Sequence, residues 1–335
     1  MSKWYAEKGE QNDVIISTRI RLARNIDGFV YPHLLDKEGK NRINEKVKKA
    51  VFEKLGDGYS FCEMSSFTPL QAVSLAERHL ISADFASRRD ESGLIISDDE
   101  SVSIMICEED HVKLQVMKSG FALGEAFARA DEIDDSLDSS LSFSFDERIG
   151  YLTSSPANLG TAMRASVFLH LPALTLCGQI SAIASTVSKL GLSISGAYGS
   201  RKKPSGDIYQ ISNKITLGIT EETAISNLES IVRQIANRER GAAEREIKDP
   251  SAEDKIYRAY GLLKNARLLT TEEFMSLITY VRFGAYAGLL DIPVEKIDAL
   301  IIDVQPATVS VSNEDINTVT ERDAKRAEIV RKALD

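Results

Sequence analysis

Between residues 92 and 117 the chain reads SGLIIS, VSIMI and KLQVM, three short apolar runs separated only by the acidic turns DDE and CEEDH. Runs of this length, rich in β-branched residues and bounded by turn formers, are strands rather than helices. Connections this short can only return the chain beside itself, so an antiparallel sheet is expected. A second strand set is expected at LGLSIS near 190–195, IYQIS at 208–212 and ITLGI at 215–219. It brackets the polar loop SGAYGSRKKPSGD, whose glycines and proline forbid regular structure and which has the character of a loop that closes over a ligand.

After Thr220 the pattern changes to three- and four-residue steps through Ile225, Leu228, Ile231, Val232 and Ile235, a helix that Pro250 stops. A domain boundary is placed there. Residues 251–335 read as a helical unit, with Thr270 and Glu273 in capping-box spacing. The expected fold class is α+β, an antiparallel sheet flanked by helices over 1–250 and a helical domain over 251–335. Charge narrows the partners: 41 Lys+Arg against 50 Asp+Glu give a formal net charge of −9, which argues against nucleic acid and anionic membranes. The polar amino end and the lack of any long apolar run predict a cytoplasmic protein. Cys62, Cys107 and Cys177, and His33, His79, His111 and His170, show no metal-ligand spacing, so no protein-held metal is expected.

Five polar clusters stand at the ends of apolar elements. In Ser17-Thr18-Arg19-Ile20-Arg21, an extended chain puts both arginines on one face, either a grip for phosphate oxygens or a solvated basic edge. Glu108, Glu109 and Asp110 repel one another unless a cation sits among them, or they form a plain acidic turn. In LTSSPANLGTAMRAS, Ser155 precedes a proline and Arg164 is expected to open an apolar helical stretch whose amides could face an anion. The Arg201-Lys202-Lys203 run is by composition a solvated loop. On the last helix Arg322 and Arg326 share a face, as an ion-pair array or an anion pocket.

In order and interval, STRIRLARN, SIMICEEDH, LTSSPANLGTAMRASVFLHLPAL, GAYGS...GDIYQISNKITLG and RDAKRA resemble the phosphagen (ATP:guanidino) kinases, and the closing motif is similar to RDxxRA of the bacterial protein arginine kinase branch, McsB. The resemblance runs from Trp4 to the carboxy end. It implies phosphoryl transfer from ATP, with Mg²⁺, to arginine side chains of proteins. It implies Glu109, beside Glu108, Asp110 and Ser155, at the reacting guanidinium. Nucleotide binding is implied for Ser17, Thr18, Arg19, Ile20, Arg21, His79, Lys113, Arg164, Ala165, Ser166, Val167, Phe168, Ser195, Ser200 and Arg201. Phosphoarginine binding is implied for Arg322, Asp323, Arg326 and Ala327.

Five positions depart from the family pattern. Cys107 stands for asparagine, Lys113 for arginine, Ser155 for cysteine, Ser195 for arginine and Ser200 for a carboxylate. Each removes charge or geometry from the reaction centre, so impaired catalysis is expected, with a pseudokinase that binds ATP or phosphoarginine as an adaptor or scaffold the alternative. The implied partners are proteins with exposed arginines, a Clp-type AAA+ unfoldase linked to protein quality control, a zinc-finger activator (McsA-like) and a second copy in a homodimer.

Overall fold

The structure is a computed structural model that describes residues 2–88, 90–200, 203–313, 315–316 and 318–335; the side chains of Ser200 and Lys203 fall outside the description. Strand β1 (Ile15–Arg24) is followed by helix α1 (Lys37–Leu55), β2 (Tyr59–Glu63), α2 (Pro69–Glu77) and α3 (Ala83–Ala86). The meander β3 (Gly93–Ser97), β4 (Val102–Ile106) and β5 (Val112–Ser119) then leads to α4 (Leu123–Leu141). A small hairpin, β6 (Phe145–Asp146) and β7 (Gly150–Tyr151), precedes β8 (Met163–His170), α5 (Pro172–Leu176) and α6 (Ile180–Lys189). Next come β9 (Leu192–Gly196), β10 (Gly199–Ser200), β11 (Lys203–Pro204) and β12 (Ile208–Asn213). Helices complete the chain: α7 (Glu221–Glu246), α8 (Pro250–Asn265), α9 (Thr271–Tyr286), α10 (Val294–Asp303), α11 (Pro306–Val311) and α12 (Val319–Leu334).

The main sheet has eight strands in the order β2-β3-β4-β5-β1-β8-β12-β9. Every neighbouring pair is antiparallel. The expected α+β class is therefore what forms, and the 92–117 meander lies where its turns required. Strand β1 is central and, beyond a register shift between Ile15 and Ser17, alternates: Ile20 and Leu22 are buried in the core with Leu114, Val116, Ala165 and Val167, while Arg19 and Arg21 project from the opposite face. Helix α4 packs behind β1 and β5, and α7 behind β8 and β12. The other face is covered at one end by α2 and α3, through a cluster of Met64, Leu75, Leu80, Phe85 and Met105. Nearer its middle it is covered by Trp4, Tyr5 and Ile302 against Met117 and Phe168. The rest of that face is open.

The expected elements are corrected in several places, among them the loop over 195–207, which holds the short antiparallel hairpin β10–β11. Residues 163–170 do not open a helix at Arg164; they form strand β8, with Met163, Ala165, Val167 and Leu169 inward and Arg164, Ser166 and Phe168 alternating outward. Two-residue periodicity governs here, and the β-branched and aromatic residues of RASVFLH suit a pleat. Residues 215–219 are not a strand. The Asn213 amide donates to the carbonyls of Met163 and Ile215 (3.0 and 3.1 Å) and its oxygen accepts from the Ala165 amide (2.8 Å), so a side chain takes ladder positions and turns the chain away. Pro250 begins a helix, α8, at its first position, where its missing N–H costs nothing.

Candidate active site

The open face of the sheet floors a cleft of about 1130 Å³. Arg19 and Arg21 come from β1 and Arg164 from β8, with Arg21 and Arg164 directly paired across the ladder. Arg19 donates to Gln210 Oε1 at 3.1 Å and lies over the Phe168 ring at 5.0 Å. The Nε atoms of Arg19 and Arg21 are buried without a hydrogen-bond partner among the described residues. Burial, with Arg21 and Arg164 alongside, pushes the Arg19 guanidinium well below its ordinary pKa. Burial and Arg164 bring Arg21 down to about 10, against the pull of Glu108. Three guanidinium groups held together against their own repulsion suit a polyanion.

The facing wall comes from the turn between β4 and β5. Cys107 is buried with φ of +58°, and its carbonyl accepts from Arg88 Nη1 (2.8 Å) and Ser92 Oγ (3.1 Å). Burial pushes its thiol up to about 12, so Cys107 stays protonated and acts through its backbone. Burial disfavours charge on Glu108, yet Lys113 at 2.9 and 3.0 Å, Ser82 Oγ at 2.7 Å and the Glu109 amide at 2.8 Å hold it below the usual carboxylate range. Glu109 alone of the three reaches solvent in the cleft. Burial, then Asp110, Glu108 and Asp84, raise its pKa while Lys113 opposes them. Asp110 is buried and does not line the cleft; it accepts from Asn25 Nδ2 and the Ser154 amide, both at 2.7 Å, and so fixes the loop that follows β7. Here a cation and an amide separate the three carboxylates.

The remaining predicted residues divide. His79 lines the cleft, its pKa pushed down to about 3 by burial and by Arg19. Phe168, Lys113 and Ser195 line it as well. Ser166 faces that side but is tied to Ser212 Oγ at 2.9 Å and to Gln210. Thr18, Ile20, Ala165 and Val167 face the buried side: Thr18 Oγ1 donates to the Gly120 carbonyl at 2.7 Å and the others are core. Ser17 lines a separate small cavity. Ser155 is set back, accepting at its carbonyl from Thr153 Oγ1 and the Asn158 amide, and its neighbour Ser154 takes the cleft wall. The Ser200 side chain and Arg201 lie outside the described residues.

On α12 the residues of the expected grip are engaged within the fold. Arg326 is fully buried, donating to Asp323 (2.6 Å) and to the carbonyls of Val304 (2.9 Å) and Leu269 (2.8 Å); Ala327 is buried beside it. The Asp323 carboxylate is thus engaged by Arg326, and neither they nor Arg322 line the cleft. Sequence reasoning misses Ser82, Asp84, Arg88, Gln210 and Lys214, all in the cleft wall. Only Gln210 carries a local signal, a polar residue at an outward position of IYQIS. The rest are brought in by tertiary packing.

No helix among the described residues is long and apolar enough to cross a membrane, and no group of three or more His, Cys, Asp or Glu among them could hold a metal ion. Residues 42–242 match the ATP:guanido phosphotransferase C-terminal catalytic domain, and residues 250–335 match the protein-arginine kinase McsB C-terminal domain. The protein-arginine kinase of Caldanaerobacter subterraneus subsp. tengcongensis is 42% identical over 328 residues, covering 96% of this chain and 97% of that protein. That of Clostridium tetani is 39% identical over 337 residues, covering 100% and 99%. Among solved structures, lombricine kinase aligns with a TM-score of 0.62 at 24% identity over 72% of this chain and 71% of its own. The duplicated taurocyamine kinase of Schistosoma mansoni, bound to transition-state-analogue components, gives 0.62 at 26% identity over 78% and 38%. With both family matches meeting near residue 250 and relatives aligned end to end, this chain belongs to the McsB protein-arginine kinase family of ATP:guanido phosphotransferases.

Proposed function

We propose that this chain transfers the γ-phosphoryl group of ATP to exposed arginine side chains of proteins, at a rate held down by the departures at residues 107, 113, 155, 195 and 200. The observation that carries the reading is the cluster of Arg19, Arg21 and Arg164 facing Glu109 across one cleft. Cations on the floor would neutralise the triphosphate, and Mg²⁺ would enter on it, supplying further charge neutralisation. Glu109, with its raised pKa, would take the guanidinium proton as the Nη–P bond forms and the bond to the β-phosphate oxygen breaks, releasing ADP. Reduced turnover is supported by the state of Lys113, whose ammonium is spent on Glu108, and by Ser195, which offers the cleft a hydroxyl in place of a cation. The same intact anion grip supports a second reading, an adaptor that holds ATP or phosphoarginine without transfer. A catalytic unit over 1–250, a phosphoarginine-binding and dimerising unit over 251–335, a cytoplasmic setting, and a Clp-type unfoldase with its zinc-finger activator as partners complete the proposal, resting on family resemblance.

The test is incubation with MgATP and a basic protein, reading acid-labile, base-stable phosphate on arginine. Glu109→Gln should lower the rate by about 10²- to 10⁴-fold. An equal rate would remove Glu109 from the mechanism. Ser155→Cys combined with Ser195→Arg and Ser200→Glu should raise the rate by about two orders of magnitude. No gain over an already fast wild type would show the departures to be harmless, and no phosphate in either protein would favour the adaptor.

A further inference from the structure

Behind the cleft lies a cavity of about 10 Å³, walled by Trp4, His79, Phe168, Tyr198, Asp298 and Ile302 among others. His79 and Phe168 line both spaces, so the imidazole is part of the partition between them. Its Nε2 is 2.8 Å from the Tyr198 hydroxyl, with the rings edge-on at 5.3 Å. Tyr198 belongs to the turn between β9 and β10, where its carbonyl accepts from the Ser205 amide at 2.9 Å.

At neutral pH the His79 ring is uncharged and carries one proton, because burial and Arg19 suppress the second. That proton sits on Nε2 or on Nδ1. Were it on Nε2, the phenol would accept, and its own proton would have no acceptor among the described residues, in a cavity with room for no more than about one water. Donation from Tyr198 to Nε2 satisfies both groups and puts the ring proton on Nδ1. No described residue hydrogen-bonds Nδ1.

We infer that Tyr198 sets His79 in the Nδ1–H form, an uncharged donor for a hydroxyl or phosphate oxygen of a nucleotide, and is thereby a positioning residue that ties the loop after β9 to the nucleotide site. The ligand half of this rests on the nucleotide reading above; the tautomer half does not. A donor without charge adds direction beside three guanidinium groups without adding repulsion.

Nitrogen-15 NMR of the ligand-free protein, with His79 assigned by the signal lost in His79→Asn, should show a protonated Nδ1 and an unprotonated Nε2. Tyr198→Phe should convert this to a mixture of tautomers. A protonated Nε2 in the wild type would overturn the inference whether or not nucleotide binds. By calorimetry, Tyr198→Phe should bind MgATP about tenfold more weakly, the loss of roughly one hydrogen bond's worth of orientation. His79 has φ of +62°, a conformation asparagine tolerates, and an asparagine amide falls near Nδ1. His79→Asn should therefore retain more affinity than His79→Gln, whose amide falls near Nε2. Equal affinity of Tyr198→Phe and wild type would overturn the positioning role. Absence of heat with the wild type would overturn the nucleotide half, while the nitrogen spectrum still decides the tautomer. The single tryptophan, Trp4, lies in the cavity wall, and its emission checks that each variant is folded.

Discussion

Arg164 shows how the cleft trades stability for grip. It lowers the pKa of both Arg19 and Arg21, which means that it disfavours their charged forms in the folded protein. Replacing it with methionine, Arg164→Met, should relieve that repulsion and raise the melting temperature by about 2 °C, the shift expected for roughly 1 kcal/mol in a chain of this size. The same change should weaken MgATP binding about 10- to 100-fold, the worth of one charge-assisted hydrogen bond. A melting temperature that falls would show the three guanidinium groups to be stabilised by something besides a ligand. At this scale the sequence was informative wherever alternation along a strand decides orientation: Arg19 and Arg21 in STRIR project together as the spacing says. It could not separate Glu109 from Asp110, adjacent carboxylates of which one meets solvent and the other meets Asn25, 85 positions away. Nor could it show that Arg326 spends its guanidinium inside the fold.

Helix α5 is held by a group on another helix. Glu239 of α7 is buried and accepts from the amides of Ala173 (2.8 Å) and Leu174 (3.0 Å), satisfying two donors at the start of α5. Burial nevertheless raises its pKa from 4.5 to about 7, overriding those two amides. The folded state then binds the proton more tightly than the unfolded chain, so this contribution to stability is complete below about pH 4.5 and lost as pH rises to about 7. In urea titrations across that window, wild-type stability should fall relative to Glu239→Gln by up to about 1.4 kcal/mol per pH unit. Parallel curves for the two proteins would place the titration elsewhere. Elements themselves were legible where one periodicity acts alone, as in the 92–117 meander and in α7. They were not legible where an apolar run fits both periods, as in RASVFLHLPAL, or where one side chain, Asn213, replaces a strand's backbone partners. Helix α1 is dominated by charged residues and packs chiefly on α4.

Across the whole molecule, the carboxy-terminal helices share one continuous core with the sheet, in which Ile256, Phe283 and Leu300 join the cluster of Ile20 and Val167. A buried ion pair reinforces the join. Arg282 of α9 donates to Asp298 of α10 at 2.6 and 3.1 Å and to the carbonyls of Asn12 and Asp13, both at 2.9 Å, just before β1. Arg282→Met should destabilise the protein by about 3–5 kcal/mol, because Asp298 is left buried without its cation. Adding Asp298→Ala to it should recover part of that loss; an urea midpoint unchanged by Arg282→Met would show the pair to be dispensable. Residue 250 is thus the point where helix α7 gives way to helix α8, and packing runs across it. Strand β1 pairs with β5 and β8 and packs on α4, and its two faces hold different groups: core side chains behind, Arg19 and Arg21 in front. A one-residue slip of Arg19–Leu22 against the ladder would send Ile20 and Leu22 into the cleft and both arginines into the core. In a lineage of such chains the arginine face and the core are therefore inherited as one unit. Turns and the sheet edge can take substitutions and changes of length that this strand cannot, so residues 15–24 should align with every relative without a gap.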